Sequence, residues 1–135
     1  MMMKRRGMLL VLICSMLITS CHGSIWKKTS VIIYNNLTDE STLTVHCKSK
    51  KDDLGIRRIA QRSWQFSFIP SFLGRTLFFC SFSWSGGFEW FNICVQSRDE
   101  GKCIFCSWTI SPNGPCRLNG LTGEYDLCYH WNRRS

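Results

Sequence analysis

Nine cysteines in 135 residues are the densest source of chemistry in this chain. Cys14 and Cys21 stand near its start, and Cys47, Cys80, Cys94, Cys103, Cys106, Cys116 and Cys128 follow. A zinc ribbon needs two close cysteine pairs. Cys103-Ile104-Phe105-Cys106 supplies one such pair, but Cys116 and Cys128 lie too far apart to supply the other. A redox pair of the thioredoxin kind sits in a βαβ unit, and the hydrophobic pattern here has no such alternation of strand and helix. Structural disulfides are the chemistry that remains.

Other reactive groups are sparse. His46 and His130 are the only histidines beyond residue 23. His46 adjoins Cys47, but neighbours on a strand point to opposite faces, so the two do not form a nucleophile and base. No glycine-flanked serine elbow and no metalloprotease helix motif occurs. Asp39, Glu40, Glu89, Asp99 and Glu100 fall in or near turns or on outer strand faces. These readings predict no enzyme, no cofactor and no metal site. Two surface chemistries stand out. Asn36-Leu37-Thr38 is an acceptor sequon for N-linked glycan. Lys48, Lys50, Lys51, Asp52 and Asp53 make a charged loop, the kind of exposed segment that carries recognition on a rigid scaffold. The loop lacks the acidic ladder and terminal glutamate of a calcium site.

The first residues read as a targeting segment rather than as part of the fold. Lys4, Arg5 and Arg6 precede an apolar run from Met8 to Ile18, and small residues follow up to Gly23. That order is the pattern of a secretory signal peptide, and the run is shorter than the roughly 20 apolar residues of a membrane span. The expected division is a signal peptide over 1–23 and one domain over 24–135. Its removal takes three of seventeen basic residues and none of nine acidic ones, which lowers the net charge from +8 to +5. It also leaves seven of the nine cysteines. The expected product is secreted, extracellular, monomeric and not membrane-integral, and secretion is what permits disulfides. The basic residues are scattered and form no nucleic-acid module, so no nucleic acid is expected as a partner. Anionic wall polymers or membrane surfaces suit the charge better.

Elements of period two must position these groups. Leu43, Val45 and Cys47 alternate with Thr42, Thr44 and His46. Trp64, Phe66 and Phe68 alternate with serine and glutamine, Phe78, Cys80, Phe82 and Trp84 with Ser81 and Ser83, and Cys106, Trp108 and Ile110 with Ser107 and Thr109. Such alternation buries one face of each strand. Turn residues separate the runs at Asp52 to Gly55, Pro70-Ser71, Ser85 to Gly87, Asp99 to Gly101, Pro112 to Pro115 and Asn119 to Gly123. Seven or eight short strands predict an all-β fold, a small disulfide-stabilised antiparallel β-sandwich. Residues 55–61 read equally as a strand or a short helical turn.

Taken together, Val31-Ile32-Ile33-Tyr34-Asn35-Asn36-Leu37, His46-Cys47-Lys48-Ser49 with Asp52-Asp53-Leu54-Gly55, Trp64-Gln65-Phe66-Ser67-Phe68 and Cys103-Ile104-Phe105-Cys106-Ser107-Trp108 resemble the plant self-incompatibility protein family, the S-protein homologues. The likeness spans essentially all of the chain after residue 23. It implies a small secreted plant protein with a disulfide-bonded sandwich, acting as a ligand for a cell-surface receptor or other extracellular protein, with pollen-pistil recognition as the known role in the family. A secreted basic defence or wall-binding protein is the alternative. The resemblance also marks Cys94 as the surplus cysteine, since it occupies a strand position where relatives are expected to have another residue.

Six cysteines are then left to pair: Cys47, Cys80, Cys103, Cys106, Cys116 and Cys128. Cys103 and Cys106 on one extended strand would stand about 10 Å apart, beyond the reach of a disulfide. Cys116 and Cys128 flank a turn-rich segment and suit a hairpin. Cys103 and Cys106 would then bond Cys47 and Cys80 in one of two ways. In the run Glu89 to Val95, simple alternation puts Cys94 with Trp90 and Asn92 on the wetter face, as a free thiol either under aromatic rings or open to pairing between molecules.

Overall fold

The computed structural model describes residues 28–99 and 104–133. The signal-peptide segment and Cys103 lie outside the described residues. Nine strands and one helical turn follow in order: β1 Thr29–Asn35, β2 Leu43–Lys48, β3 Asp53–Ile59, β4 Ser63–Phe68, β5 Leu77–Trp84, β6 Gly87–Val95, α1 Gln96–Asp99, β7 Phe105–Ser111, β8 Gly114–Arg117 and β9 Leu127–Cys128. They form a five-stranded sheet in the order β4-β1-β7-β8-β9 and a four-stranded sheet in the order β3-β2-β5-β6. The protein is a disulfide-stabilised β-sandwich. All strand pairs are antiparallel except β1 with β7, which run parallel with Ile33 opposite Trp108.

The alternating faces close on one core. Val31 and Ile33 of β1 and Cys106, Trp108 and Ile110 of β7 pack with Leu43, Val45 and Cys47 of β2, Phe78, Cys80 and Phe82 of β5, and Phe91 and Ile93 of β6. Phe66 and Phe68 of β4 meet Phe78 of β5 at ring separations of 5.1 and 4.6 Å, which seals one end. Near the other end Trp131 packs against Phe82 and Trp84, and its indole N–H donates to the Pro112 carbonyl at 3.0 Å. The terminal segment runs so close that a Cβ on Gly114 would stand 2.5 Å from the Tyr129 carbonyl oxygen, and Gly114 also has a φ of 144°. Only glycine fits both conditions.

Asn35 staples the top of β1. Its side-chain amide lies within 2.7 Å of Ser41 O, 2.9 Å of Ile59 O and 2.6 Å of Ala60 O, and its Oδ1 accepts the Leu37 N–H. One side chain thus ties the β1 exit to the approach to β2 and the β3–β4 turn. Residues 53–59 settle as strand β3 rather than as turn and helix, because β2 offers them a ladder of partners from Leu43 to Lys48.

The expected bridge between Cys116 and Cys128 is present, but the pairing of Cys47 and Cys80 differs from the expected one. Cys47 is bonded to Cys80, its direct register partner across β2 and β5. Side chains opposite each other on neighbouring antiparallel strands sit close together on one face, which is why this local bond forms in place of one reaching across the sandwich. Cys116 is bonded to Cys128, again a direct register pair, across β8 and β9. Cys106 is disulfide-bonded too, and with Cys47 and Cys80 joined to each other it is held by neither.

Cys94 is a free thiol, but simple alternation misplaces it. Between Phe78 and Cys80 on β5 the partners on β6 step from Cys94 to Phe91, so β6 carries one residue more than its partner. This bulge resets the alternation, and Ile93 and Cys94 both face inward. Cys94 is 4% exposed, so the reading of an outward thiol open to pairing between molecules does not hold. Burial, and next the charge of Asp99, pushes the thiol up to about 12. We expect Cys94 to resist alkylation in the native protein at neutral pH and to react at once in denaturant. The unfolded chain ionises this thiol near its ordinary value, so its contribution to stability is present below that value and is lost as pH rises to about 12. Cys94→Ser should lower stability in urea titrations by about 1–3 kcal/mol, the cost of burying a hydroxyl. A loss close to zero would contradict this placement.

Candidate interaction surface

The charged loop grows from the outer faces of β2 and β3. Alternation turns Thr44, His46 and Lys48 outward on β2, while Cys47 between them is in the core and oxidised. Antiparallel pairing sets Asp53 opposite Lys48 and Ile56 opposite His46, with an irregular register between the two pairs. That register brings three charged groups together. The His46 ring Nε2 lies 2.7 Å from Asp53 Oδ1, and Lys48 Nζ lies 3.9 Å from Asp53 Oδ2. The Gly55 N–H donates to Asp53 Oδ1 at 2.9 Å, an approach that the left-handed backbone of Gly55 permits. The Gly55 N–H first, and His46 second, hold the Asp53 carboxyl below the usual carboxylate range.

The turn itself is closed by its own backbone. The Ser49 N–H donates to the Asp52 carbonyl at 2.8 Å, and the Asp52 N–H donates to Ser49 Oγ at 3.1 Å. Lys50, Lys51 and Asp52 are exposed on this fixed turn. Of the five loop residues singled out from sequence, Lys48 and Asp53 therefore join His46 in a cluster, and Lys50, Lys51 and Asp52 are presented to solvent. Asn36 is exposed just beyond β1, at the end of the sandwich opposite the lysine loop, and its backbone N–H donates to the Ile110 carbonyl.

Three features escape sequence reading. Asn35, beside the sequon, is the asparagine that the fold uses. Phe88 and Trp90 meet edge to face at 5.4 Å on the outer face of β6, opposite Ser83 and Ser81. Their spacing of two was the available signal for a shared face. Asp99, expected near a turn or on an outer face, is instead 3% exposed. Its Oδ1 accepts from Arg117 Nη1 at 2.5 Å and Arg98 Nε at 2.9 Å, and its Oδ2 accepts from the Val95 N–H and Arg98 Nη2 at 3.0 Å each. Two cations and a strand-end amide offset the desolvation that otherwise keeps a carboxylate at the surface. Among the described residues, no group of three or more histidine, cysteine or acidic side chains is placed to hold a metal ion.

Comparison with known proteins settles the relationship. Residues 30–131 match the family described as plant self-incompatibility protein S1. The chain belongs to this family. It is 47% identical over 116 residues to S-protein homolog 4 of Arabidopsis thaliana, covering 80% of this chain and 76% of that protein. With S-protein homolog 2 of Arabidopsis thaliana it shares 50% identity over 113 residues, covering 79% of this chain and 70% of the relative. A solved self-incompatibility protein homologue, from a family described as small, highly stable, secreted plant proteins, superposes with a TM-score of 0.56 at 14% identity. That alignment covers 80% of this chain and 97% of the other, so the fold is shared.

The cluster of this family member predicts a titration. Followed by NMR, the Asp53 carboxyl should lose its charge below the ordinary aspartate range. His46→Ala should raise the Asp53 midpoint only part of the way, because the Gly55 N–H remains. The charged Asp53 carboxyl, held first by the Gly55 N–H, supports the loop above the ordinary carboxylate range, and that support is lost as pH falls through the lowered Asp53 value. An Asp53 midpoint in the ordinary aspartate range, unmoved by His46→Ala, would refute the cluster.

Proposed function

We propose that this protein is an extracellular signalling ligand. Residues 1–23 direct export and are removed, residues 24–135 form the secreted domain, and the loop of Lys48, Lys50, Lys51, Asp52 and Asp53 contacts a cell-surface protein. Family membership supports the ligand class, with pollen-pistil recognition as the setting known in the family. One observation carries the choice of loop: Lys50, Lys51 and Asp52 are exposed on a turn whose backbone is held by reciprocal bonds between Ser49 and Asp52. A pre-formed turn loses little conformational freedom on binding, so its charges can specify a partner. Asn36, exposed at the far end, carries N-linked glycan in this reading, where it leaves the loop unobstructed. A second reading, a wall-binding defence protein, draws on the exposed Phe88 and Trp90 pair and the positive charge.

The test begins with the product secreted by a plant-cell host. Its first residue should fall between Cys21 and Ser24, and N-glycosidase should lower its mass unless Asn36 is changed. Binding to responsive cells should saturate, survive moderate salt, and weaken about tenfold or more in Lys50→Glu/Lys51→Glu. Binding that never saturates and collapses steeply with salt would favour the wall-binding reading instead.

A further inference from the structure

The register pairs Lys48 with Asp53, Leu77 with Val95, Thr29 with Phe68 and Ser30 with Phe105. One end of the sandwich therefore gathers the lysine loop, the β4–β5 loop and the starts of β1 and β7. The β4–β5 loop, residues 69–76, is its tip. Phe72 is 91% exposed there and Leu73 is 70% exposed. Large apolar side chains in water on a loose loop would be unremarkable, but this loop is braced. The Ser71 N–H donates to Thr76 Oγ1 at 2.6 Å, the Gly74 N–H to the Ser71 carbonyl at 3.1 Å, and the Leu73 N–H to Ser71 Oγ at 3.2 Å. Gln96 of α1 spans the base, donating from Nε2 to the Ser71 carbonyl and accepting the Thr76 N–H at Oε1. The backbone is tied down on all sides while Phe72 and Leu73 are held outward.

The surroundings extend the pattern. Ile69, Leu77, Ile104 and Phe105 are exposed at the same end. Lys28, Lys48, Lys50, Lys51 and Arg75 rim it, against Asp52, Asp53, which His46 already engages, and Glu124 and Asp126 of the β8–β9 loop, which turns at this same end beside the start of β7.

We infer that this end docks on an anionic phospholipid bilayer, with Phe72 and Leu73 entering the acyl boundary and the basic rim meeting headgroup phosphates. An apolar tip inside a lysine-rich rim is the composition of interfacial membrane segments. Protein-protein anchors are more often Trp, Tyr and Arg seated in pockets, with lysine depleted. The inference rests on the extracellular reading above only in that the chain must reach the outer face of a membrane. Docking would concentrate the ligand on the surface that carries its partner and turn the lysine loop toward it.

The experiment is sedimentation with vesicles, using protein recovered from plant-cell medium with its N-terminus sequenced, so that the apolar run of 1–23 contributes nothing. The protein should bind vesicles of phosphatidylcholine and phosphatidylserine in equal parts and should bind pure phosphatidylcholine far less. Phe72→Ser/Leu73→Ser, both exposed and without a packing role, should keep the native near-UV spectrum and lower partition about tenfold or more. Lys50→Glu/Lys51→Glu should also lower it about tenfold or more, at roughly fivefold for each cation lost. Failure to sediment with the mixed vesicles, or equal binding by the Phe72/Leu73 variant, overturns the inference. So does cell binding that proteinase treatment of the cells abolishes, if vesicle binding is absent, since that points to a protein at this end. Loss of the cell-surface partner with vesicle binding intact would refute the ligand reading alone.

Discussion

A buried carboxylate between two guanidinium groups governs this molecule. Asp99 closes the helical turn after β6, in the four-stranded sheet, while Arg117 reaches it from β8 in the five-stranded sheet. Both side chains are almost wholly inaccessible, and Arg98 completes the pair from the neighbouring position. An unpaired charge at such a depth would cost several kcal/mol. Here each charge has a partner, and the bonds are spent across the sheet interface. Arg98 does more than pair. Its guanidinium stands 5.0 to 5.6 Å from the ring centres of Phe91, Trp108 and Tyr129, and its Nη2 donates to the Asn92 and Ile93 carbonyls. Those carbonyls belong to the β6 bulge, so the residue that neutralises Asp99 also supports the irregularity that turns Cys94 inward. Arg117 faces Trp108 from 5.9 Å, which puts two cations near that indole. Charge, cation–π contact and bulge form one unit that joins the two sheets.

The disulfides act at a different level. Cys47 with Cys80 and Cys116 with Cys128 each tie neighbouring strands of a single sheet. They fix register within the layers. Among the described residues, packing, the aromatic contacts at both ends, the Asn35 amide bonds to Ile59 and Ala60, and the Arg98-Asp99-Arg117 unit join one layer to the other. A scaffold fixed in this way can leave its end loops to binding. The lysine turn is closed by its own hydrogen bonds and the apolar β4–β5 tip by its own together with those of Gln96, so substitutions of their exposed side chains should have little effect on the fold.

Much of this was legible in the sequence because a strand's faces follow directly from a period of two. Leu43, Val45, Cys47, Phe78, Cys80, Phe82, Trp108 and Ile110 fill the core as their alternation implies. The exposed lysine turn was legible from its charge and its position between apolar runs. The remainder depends on events that local pattern does not encode. A one-residue bulge reverses the parity of everything after it, and nothing in Phe91-Asn92-Ile93-Cys94 announces where it falls. The choice of Cys80 for Cys47 follows from strand order, which periodicity does not provide. Asp99 looked like a surface charge because its partner Arg117 is 18 positions away and joins it only when the sheets meet. The parallel pairing of β1 with β7 likewise arises from a long crossover rather than from any hairpin signal.

The claim that Asp99 and Arg117 couple the sheets is tested most directly by a double-mutant cycle in urea unfolding. Asp99→Ala should cost about 3–5 kcal/mol, because it strands Arg117 in the interior, and Arg117→Ala should cost less, because Arg98 still pairs with Asp99. The double variant strands less, so its cost should fall short of the sum of the two by about 1.5–3 kcal/mol. Additive losses, or single losses under about 1 kcal/mol, would show that the two side chains act independently and do not couple the sheets.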